Sequence, residues 1–312
     1  MKSIRIGTRG SKLALFQANY VADLLNKNGL STTIIPIETK GDKVLDVSIS
    51  KIGSKGVFTE ELEAKLAIGE IDIAVHSAKD LPSRLPEGFE TIAFTEREKV
   101  NDIIISHKDD FPDLADTSKP IVLGTSATRR VATLKYFYPH VKTVDVRGNL
   151  QTRVGKMESG ICDGLLLAYA GVHRMGYDNL IRKELPITEF IPAVGQGSIG
   201  VEIHEGLDPS LKTIIESAFN HPRSAACLKA ERSFLRILEG GCSIPAFALA
   251  QWEGDTLTLE GGLMQIDGKE RLFASFSGKE EDAVSLGEKL AENIKSQGGD
   301  QLLKEIKQRL NG

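Results

Sequence analysis

The chain has 312 residues, 41% hydrophobic and 26% charged, and a formal net charge of −4. This is a globular balance, long enough for two or three domains, and it excludes a disordered chain. An acidic whole does not attract nucleic acid or an anionic membrane, and the longest uncharged apolar run, 164–172, is too short to cross a bilayer.

The first elements alternate strand and helix. A strand is predicted over 3–7, then a helix capped by Ser11 with Ala14, Ala18, Val21 and Leu25 on one face, then a strand over 31–38. Strand, helix, strand is the signature of a parallel sheet. Residues 40–56 hold Gly41, Gly53 and Gly56 among Lys40, Lys43, Lys51 and Lys55, which reads as a long loop. A helix over 59–68 and a buried strand over 71–75 follow. That strand ends at His76-Ser77-Ala78-Lys79-Asp80, and Pro82 and Pro86 enforce a loop.

A second alternation sets strands at 103–106, 121–124, 141–146 and 164–168 around helices at 127–137 and 150–158. Residues 198–203 form an apolar strand whose neighbours Gly195 and Gly197 suit a crossover back to the first sheet. From about 208 the pattern changes. Helices at 209–219 and 223–238 lead to Gly240-Gly241-Cys242, and strands at 246–252, 256–261 and 271–276 precede helices at 281–295 and 301–310. Strands without intervening helices indicate an antiparallel α+β domain.

Charge is concentrated in one stretch. Between Gly124 and Arg153 stand Arg129, Arg130, Lys135, Lys142, Arg147 and Arg153, opposed only by Asp145. A basic pocket in an acidic protein points to a small anionic ligand. Thr8-Arg9-Gly10-Ser11 and Gly124-Thr125-Ser126-Ala127-Thr128-Arg129-Arg130 each follow a strand and open a helix, where free N–H groups bind anions. Arg147-Gly148-Asn149 also follows a strand. Arg grips a carboxylate through two parallel hydrogen bonds, so this set suits a ligand with several carboxylates or phosphates. Read one at a time, each Arg could equally be an ion-pair residue.

Asp80 lies past the carboxyl end of a parallel strand, where open α/β sheets place ligands, and its carboxylate could stabilise a cation or carry protons. It could equally cap a turn. The three cysteines (Cys162, Cys227, Cys242) are scattered, with no Cys-x-x-Cys pair, against a disulfide scaffold and in keeping with a reducing cytoplasm. Cys242, on a tight Gly-Gly loop before Pro245, is the reachable thiol, although most free cysteines are inert. Gly195-Gln196-Gly197 is not a dinucleotide fingerprint, no P-loop is present, and the six His lack ligand spacing, so no metal is expected. The start of the chain lacks an apolar core of signal-peptide length.

Taken together and in order, Arg9-Gly10-Ser11-Lys12-Leu13-Ala14, Lys40-Gly41-Asp42, Gly53-Ser54-Lys55-Gly56, His76-Ser77-Ala78-Lys79-Asp80, Gly124-Thr125-Ser126 with Arg129-Arg130, Arg147-Gly148-Asn149 with Thr152-Arg153, Pro192-Ala193-Val194-Gly195-Gln196-Gly197 and Leu238-Glu239-Gly240-Gly241-Cys242-Ser243-Ile244-Pro245 resemble the hydroxymethylbilane synthase (porphobilinogen deaminase) family. The resemblance implies an α/β fold: two lobes like type II periplasmic-binding proteins, with parallel-rich sheets, plus a C-terminal α+β domain. It implies domain 1 over 1–98 with 196–215, domain 2 over 99–195 and domain 3 over 216–312.

The resemblance also implies a cytoplasmic, monomeric transferase of tetrapyrrole and heme biosynthesis. It condenses four porphobilinogen molecules, with loss of ammonia, onto a dipyrromethane held by a thioether to Cys242, and water then releases the linear product. Asp80 is implied as the catalytic carboxylate, facing the pyrrole nitrogens and stabilising the cation left when ammonia departs. Asp42, Lys79, Asp80, Thr125, Ser126, Arg129 and Arg130 are implied as cofactor ligands. Arg9, Ser11, Arg147, Arg153, Arg174 and Gln196 are implied near the substrate, and the 51–56 loop as a cover. Ala127 stands where many relatives have serine, so residue 127 is left out of the polar ligands. A non-catalytic anion-binding protein of the periplasmic-binding type also accounts for the two lobes and the arginines, but it has no use for Cys242 and normally needs an export signal, which is not expected here. A nucleic-acid binder using the basic stretch lacks an aromatic stacking platform.

Overall fold

A computed structural model describes residues 3–43, 59–239 and 243–311. The first strand, β1 (Ile4–Arg9), is followed by α1 (Lys12–Lys27), whose first turn is capped by Ser11, its hydroxyl accepting from Ala14 N–H at 3.2 Å. β2 (Thr32–Ile37) pairs in parallel with β1, and a short α2 (Lys40–Lys43) opens the segment that sequence patterning reads as a loop. Most of that segment lies outside the described residues. α3 (Glu60–Ala67) and β3 (Ile73–Ser77) follow, with β3 parallel to β1. β4 (Phe89–Phe94) was not anticipated from patterning, because Gly88 and Glu90 interrupt its apolar alternation.

The chain then crosses over through residues 95–101 and builds a second sheet. Its strands are β5 (Asp102–Ile105), β6 (Val122–Gly124), β7 (Lys142–Val144), β8 (Gly164–Ala168) and β9 (Ile181–Glu184). α4 (Thr128–Phe137), α5 (Leu150–Glu158) and α6 (Tyr169–Arg174) connect them. A second crossover returns the chain to the first sheet as β10 (Ile199–His204), antiparallel to both β3 and β4.

The two sheets share one wiring. The first runs β2-β1-β3-β10-β4 and the second β7-β6-β8-β5-β9. In each, three parallel strands lie beside one antiparallel strand that arrives from the other lobe. This is the arrangement of type II periplasmic-binding-protein-like lobes. Side-chain alternation shows why the second sheet's strands read as unbroken apolar runs. Ile103, Ile105, Leu165 and Leu167 enter one core, while Ile104 and Leu166 enter another on the opposite face. A strand buried on both faces has no polar side to show.

α7 (Pro209–Phe219) packs on the first lobe through Ile215 and Phe219, and the rest of the chain builds a third unit. α8 (Pro222–Ile237) and α9 (Ala283–Ile294) lie against an antiparallel meander of β11 (Ala246–Glu253), β12 (Thr256–Met264) and β13 (Arg271–Gly278), and α10 (Asp300–Asn311) closes the chain. Their core includes Ala230, Phe234, Leu257, Leu259, Leu290 and Ile306. Ala132 and Ile191 of the second lobe pack with Phe247, Leu249 and Met264 of the meander, so the third domain leans on that lobe. No described helix is long and apolar enough to cross a membrane.

Candidate active site

Parallel strands place their carboxyl ends along one edge of each lobe, and the candidate residues follow those ends. β3 ends at Ser77 and turns through a single 3-10 turn, Ala78–Asp80. Asp80 is half-buried, and no hydrogen bond or ion pair to a described residue holds its carboxylate. The neighbouring Lys79 amine likewise has no hydrogen bond among the described residues. Burial pushes that amine down to about 8, and the positive Arg130 and Arg129 add to the drop while Asp80 and Asp102 oppose it. The first lobe's turn therefore faces the start of α4 in the second lobe.

There, β6 ends at Gly124, and Thr125 is buried, its N–H donating to Val144 O at 3.0 Å and its hydroxyl accepting from Ala127 N–H at 3.3 Å. Ser126 is half-buried beside it. Arg129 and Arg130 are buried rather than displayed. Arg129 reaches Asp102 at 2.8 Å and donates to Ile191 O at 2.9 Å; its Nε is buried without a hydrogen bond among the described residues. Arg130 donates to Asp102 from Nη2 at 2.8 Å and from Nε at 3.1 Å, and to Leu166 O at 3.1 Å.

Asp102, at the head of β5 and 0% exposed, is thus the counter-ion of both arginines. Burial alone would raise its carboxyl, but the two guanidiniums outweigh burial and hold it well below the usual carboxylate range. Sequence reasoning passed over Asp102. The signal was there: a single acid leading the apolar run Ile103-Ile104-Ile105, inside the lobe with the arginine excess. Gln196 is buried too, its amide donating to Asp102 at 2.9 Å and to Val100 O at 2.7 Å.

Arg147 follows β7, its Nε donating to Asp145 at 3.1 Å. Arg153, on α5, donates from Nε to Gly148 O at 2.8 Å, and its terminal nitrogens carry no hydrogen bond to a described residue. Burial pushes its guanidinium down to about 10; Arg130 and Arg147 add to this, and Asp145 and Asp80 oppose it. Arg153 therefore feels Asp80 from across the cleft. Arg9 closes β1, and Ser11 is engaged as the cap of α1. Arg174 does not join this group. Its Nη2 donates to Gly197 O at 2.7 Å, and it lines a cavity of about 410 Å³ with Phe16, Tyr20, Arg97, Glu98 and His173.

Asp42 lies in α2 with its side chain outside the described residues, as do the 51–56 loop and Cys242. The other thiols are poor nucleophiles: Cys162 and Cys227 are buried, and burial pushes Cys162 up and Cys227 up to about 12. Among the described residues no group of three or more His, Cys, Asp or Glu could hold a metal.

A two-lobed cleft in which the Asp80 carboxylate has no hydrogen bond among the described residues, beside an amine of weakened basicity and facing guanidiniums of the opposite lobe, suits a polyanionic ligand and proton or cation chemistry. Residues 4–212 match the family described as "Porphobilinogen deaminase, dipyromethane cofactor binding domain", and residues 225–296 match "Porphobilinogen deaminase, C-terminal domain". The chain is 57% identical to the porphobilinogen deaminase of Desulfosudis oleivorans over 97% of this chain and 98% of that one. It is 51% identical to that of Cytophaga hutchinsonii over 99% of both. Among solved structures, the Bordetella pertussis BvgS VFT2 domain aligns with a TM-score of 0.42 and 16% identity over 69% of this chain and 86% of that one. The chain belongs to the porphobilinogen deaminase family. Its match to that family's C-terminal domain disfavours the non-catalytic alternative, for which two lobes suffice.

Proposed function

We propose that the chain is a hydroxymethylbilane synthase: it condenses four porphobilinogen molecules stepwise, releasing ammonia, onto a covalent dipyrromethane, and water then frees the linear tetrapyrrole. The observation that carries the reading is the Asp80 carboxylate, without a described partner at the end of β3 and opposite guanidiniums of the second lobe. In this reading domain 1 spans 1–98 with 196–215, domain 2 spans 99–195 and domain 3 spans 216–312. The protein acts as a cytoplasmic monomer on a small-molecule substrate, with neither nucleic acid nor membrane as partner.

The residues fit a covalent oligo-acid. Among the described residues, Lys79 and the terminal nitrogens of Arg153 are donors without hydrogen-bonded partners, and Arg129 keeps a buried Nε unsatisfied. When bound through Cys242, the dipyrromethane supplies the growing end to which substrate is added. Lys79, Thr125, Ser126, Arg129, Arg130 and Asp42 are the residues we assign to holding it. Arg9, Ser11, Arg147, Arg153, Arg174 and Gln196 are assigned to the substrate side, Gln196 and Arg174 by holding the lobe junction rather than by a displayed polar head.

Each porphobilinogen carries two carboxylates, which paired guanidinium donors neutralise and orient. Loss of ammonia leaves the substrate's methylene-pyrrole cationic. Asp80 stabilises that charge in a half-buried site where solvent competes weakly, and accepts or returns the pyrrole N–H proton. Removing such an electrostatic group costs about 10²–10³ in rate. Asp80→Asn is expected to keep the wild-type melting temperature while ammonia release falls by about that factor. A folded Asp80→Asn protein releasing ammonia at the wild-type rate would remove Asp80 from this role.

A further inference from the structure

Glu231, on α8, is 0% exposed, and its two oxygens take four hydrogen bonds. Oε1 accepts from Arg97 Nη1 at 2.5 Å and from Ala250 N–H at 2.9 Å. Oε2 accepts from Arg97 Nη2 at 3.1 Å and from Gly195 N–H at 2.8 Å. The donors come from three places: Arg97 from the first crossover between the lobes, Gly195 from the second, and Ala250 from β11 of the third domain.

The two crossovers are also tied to each other. Glu98 N–H donates to Gly197 O at 3.2 Å, and Arg97 Nε donates to Gln196 O at 2.9 Å. Gly195 has φ +78°, and a Cβ there would stand 2.8 Å from the Ala78 carbonyl carbon and 2.9 Å from Lys79 N. The second crossover thus presses directly on the turn that bears Asp80. In the other direction, α8 carries the chain from Glu231 towards Cys242, eleven residues later.

A buried ion pair is weak support for stability, since apolar residues of similar volume often serve as well; its best-attested use is to fix register. We propose that Glu231 is a positioning residue, a junction that fixes the interlobe hinge to the third domain and so sets the separation between Asp80 and the segment leading to Cys242. This rests on the reading of Asp80 and Cys242 given above. The carboxylate is suited to the task because one rigid group meets a bidentate guanidinium and two backbone N–H groups at once. An apolar pair would fill the space without holding a direction.

The test uses the holoenzyme and two variants. Arg97→Met/Glu231→Met removes both charges and leaves no buried ion alone. Glu231→Asp keeps the charge but shortens its reach by one methylene. Melting, small-angle scattering and intact mass after limited porphobilinogen are measured on each. A positioning role predicts folded variants whose scattering shows a wider spread of domain arrangements. It also predicts elongation beyond the first added unit slowed about tenfold to a hundredfold, the scale of a 1 Å misplacement. Wild-type scattering and a wild-type mass ladder in either folded variant would overturn the proposal. If the wild-type protein carries no mass on Cys242, the functional reading fails, and the scattering arm alone decides whether Glu231 holds the hinge.

Discussion

Asp102→Asn is the substitution whose consequence follows most directly from the geometry. Asp102 is fully buried and ion-pairs with Arg129 and Arg130, each at 2.8 Å, with a further hydrogen bond from Gln196 at 2.9 Å. Asparagine keeps the volume and one acceptor oxygen but leaves two buried guanidiniums without a counter-charge. Removing one partner of a buried pair costs about 3–5 kcal/mol. At roughly 2–4 °C per kcal/mol, the melting temperature should fall on the order of 10 °C.

Arg130→Gln should cost less, because Asp102 keeps Arg129 and a one-to-one pair remains. Calorimetric or circular-dichroism melting at pH 7 ranks the two. The pH dependence is also specified. The folded Asp102 carboxyl lies below its unfolded value, so its contribution is present above the unfolded pKa of about 3.9 and is lost only as pH falls through the folded value. The gap between wild type and Asp102→Asn should therefore be flat from pH 5 to pH 8. Equal melting of Asp102→Asn and wild type, or a larger loss in Arg130→Gln, would refute the claim that this carboxylate is the counter-ion of both arginines.

Two further predictions concern the Asp80 turn. The Lys79 amine sits at about 8 against an ordinary 10.5, so the folded protein binds fewer protons between those values, and Lys79's contribution to stability rises with pH across that window. Lys79→Met should accordingly melt at or above wild type at pH 7, whereas Lys79→Arg, which stays charged, should abolish any weakening of dicarboxylate binding above pH 8. A Lys79→Met protein melting several degrees below wild type contradicts the assigned burial cost. Gly195→Ala should lose more stability than Gly160→Ala. Both glycines have positive φ, +78° and +81°, but only the Gly195 methyl group meets backbone, at Ala78 and Lys79, while that of Gly160 meets open space. Equal losses would show that the crossover does not press on the Asp80 turn.

Much of this architecture is legible in the sequence. The 3.6-residue spacing of Ala14, Ala18, Val21 and Leu25 located α1, and 164–168 was marked as a strand by its apolar run. The apolar 198–203 segment beside Gly195 and Gly197 was read as returning to the first sheet, where β10 lies. β9 and α6 escaped notice for physical reasons: Ile181-Arg182-Lys183-Glu184 is an edge strand with charged side chains, and Tyr169–Arg174 is under two turns long.

The site was legible in residue type but not in pairing. Arginines at strand ends signalled an anion cleft, yet nothing local told that Arg129 and Arg130 would turn inward to one carboxylate 27 and 28 residues earlier. Gln196, implied near the substrate by resemblance, donates to Val100 O and Asp102 at the junction between the lobes, a pairing that no local pattern announces. Long-range ion pairs leave no periodic trace, so Asp102 and Glu231 emerge only when the lobes are assembled.

The central claim is that a thiol of the third domain carries the primer on which the two-lobed cleft works. Intact mass spectrometry of the purified protein, beside Cys242→Ser, tests it most directly. The account predicts a wild-type mass exceeding the sequence mass by one dipyrromethane and a Cys242→Ser mass equal to its sequence. A wild-type protein from porphobilinogen-producing cells with no added mass, or the same added mass on Cys242→Ser, would contradict it.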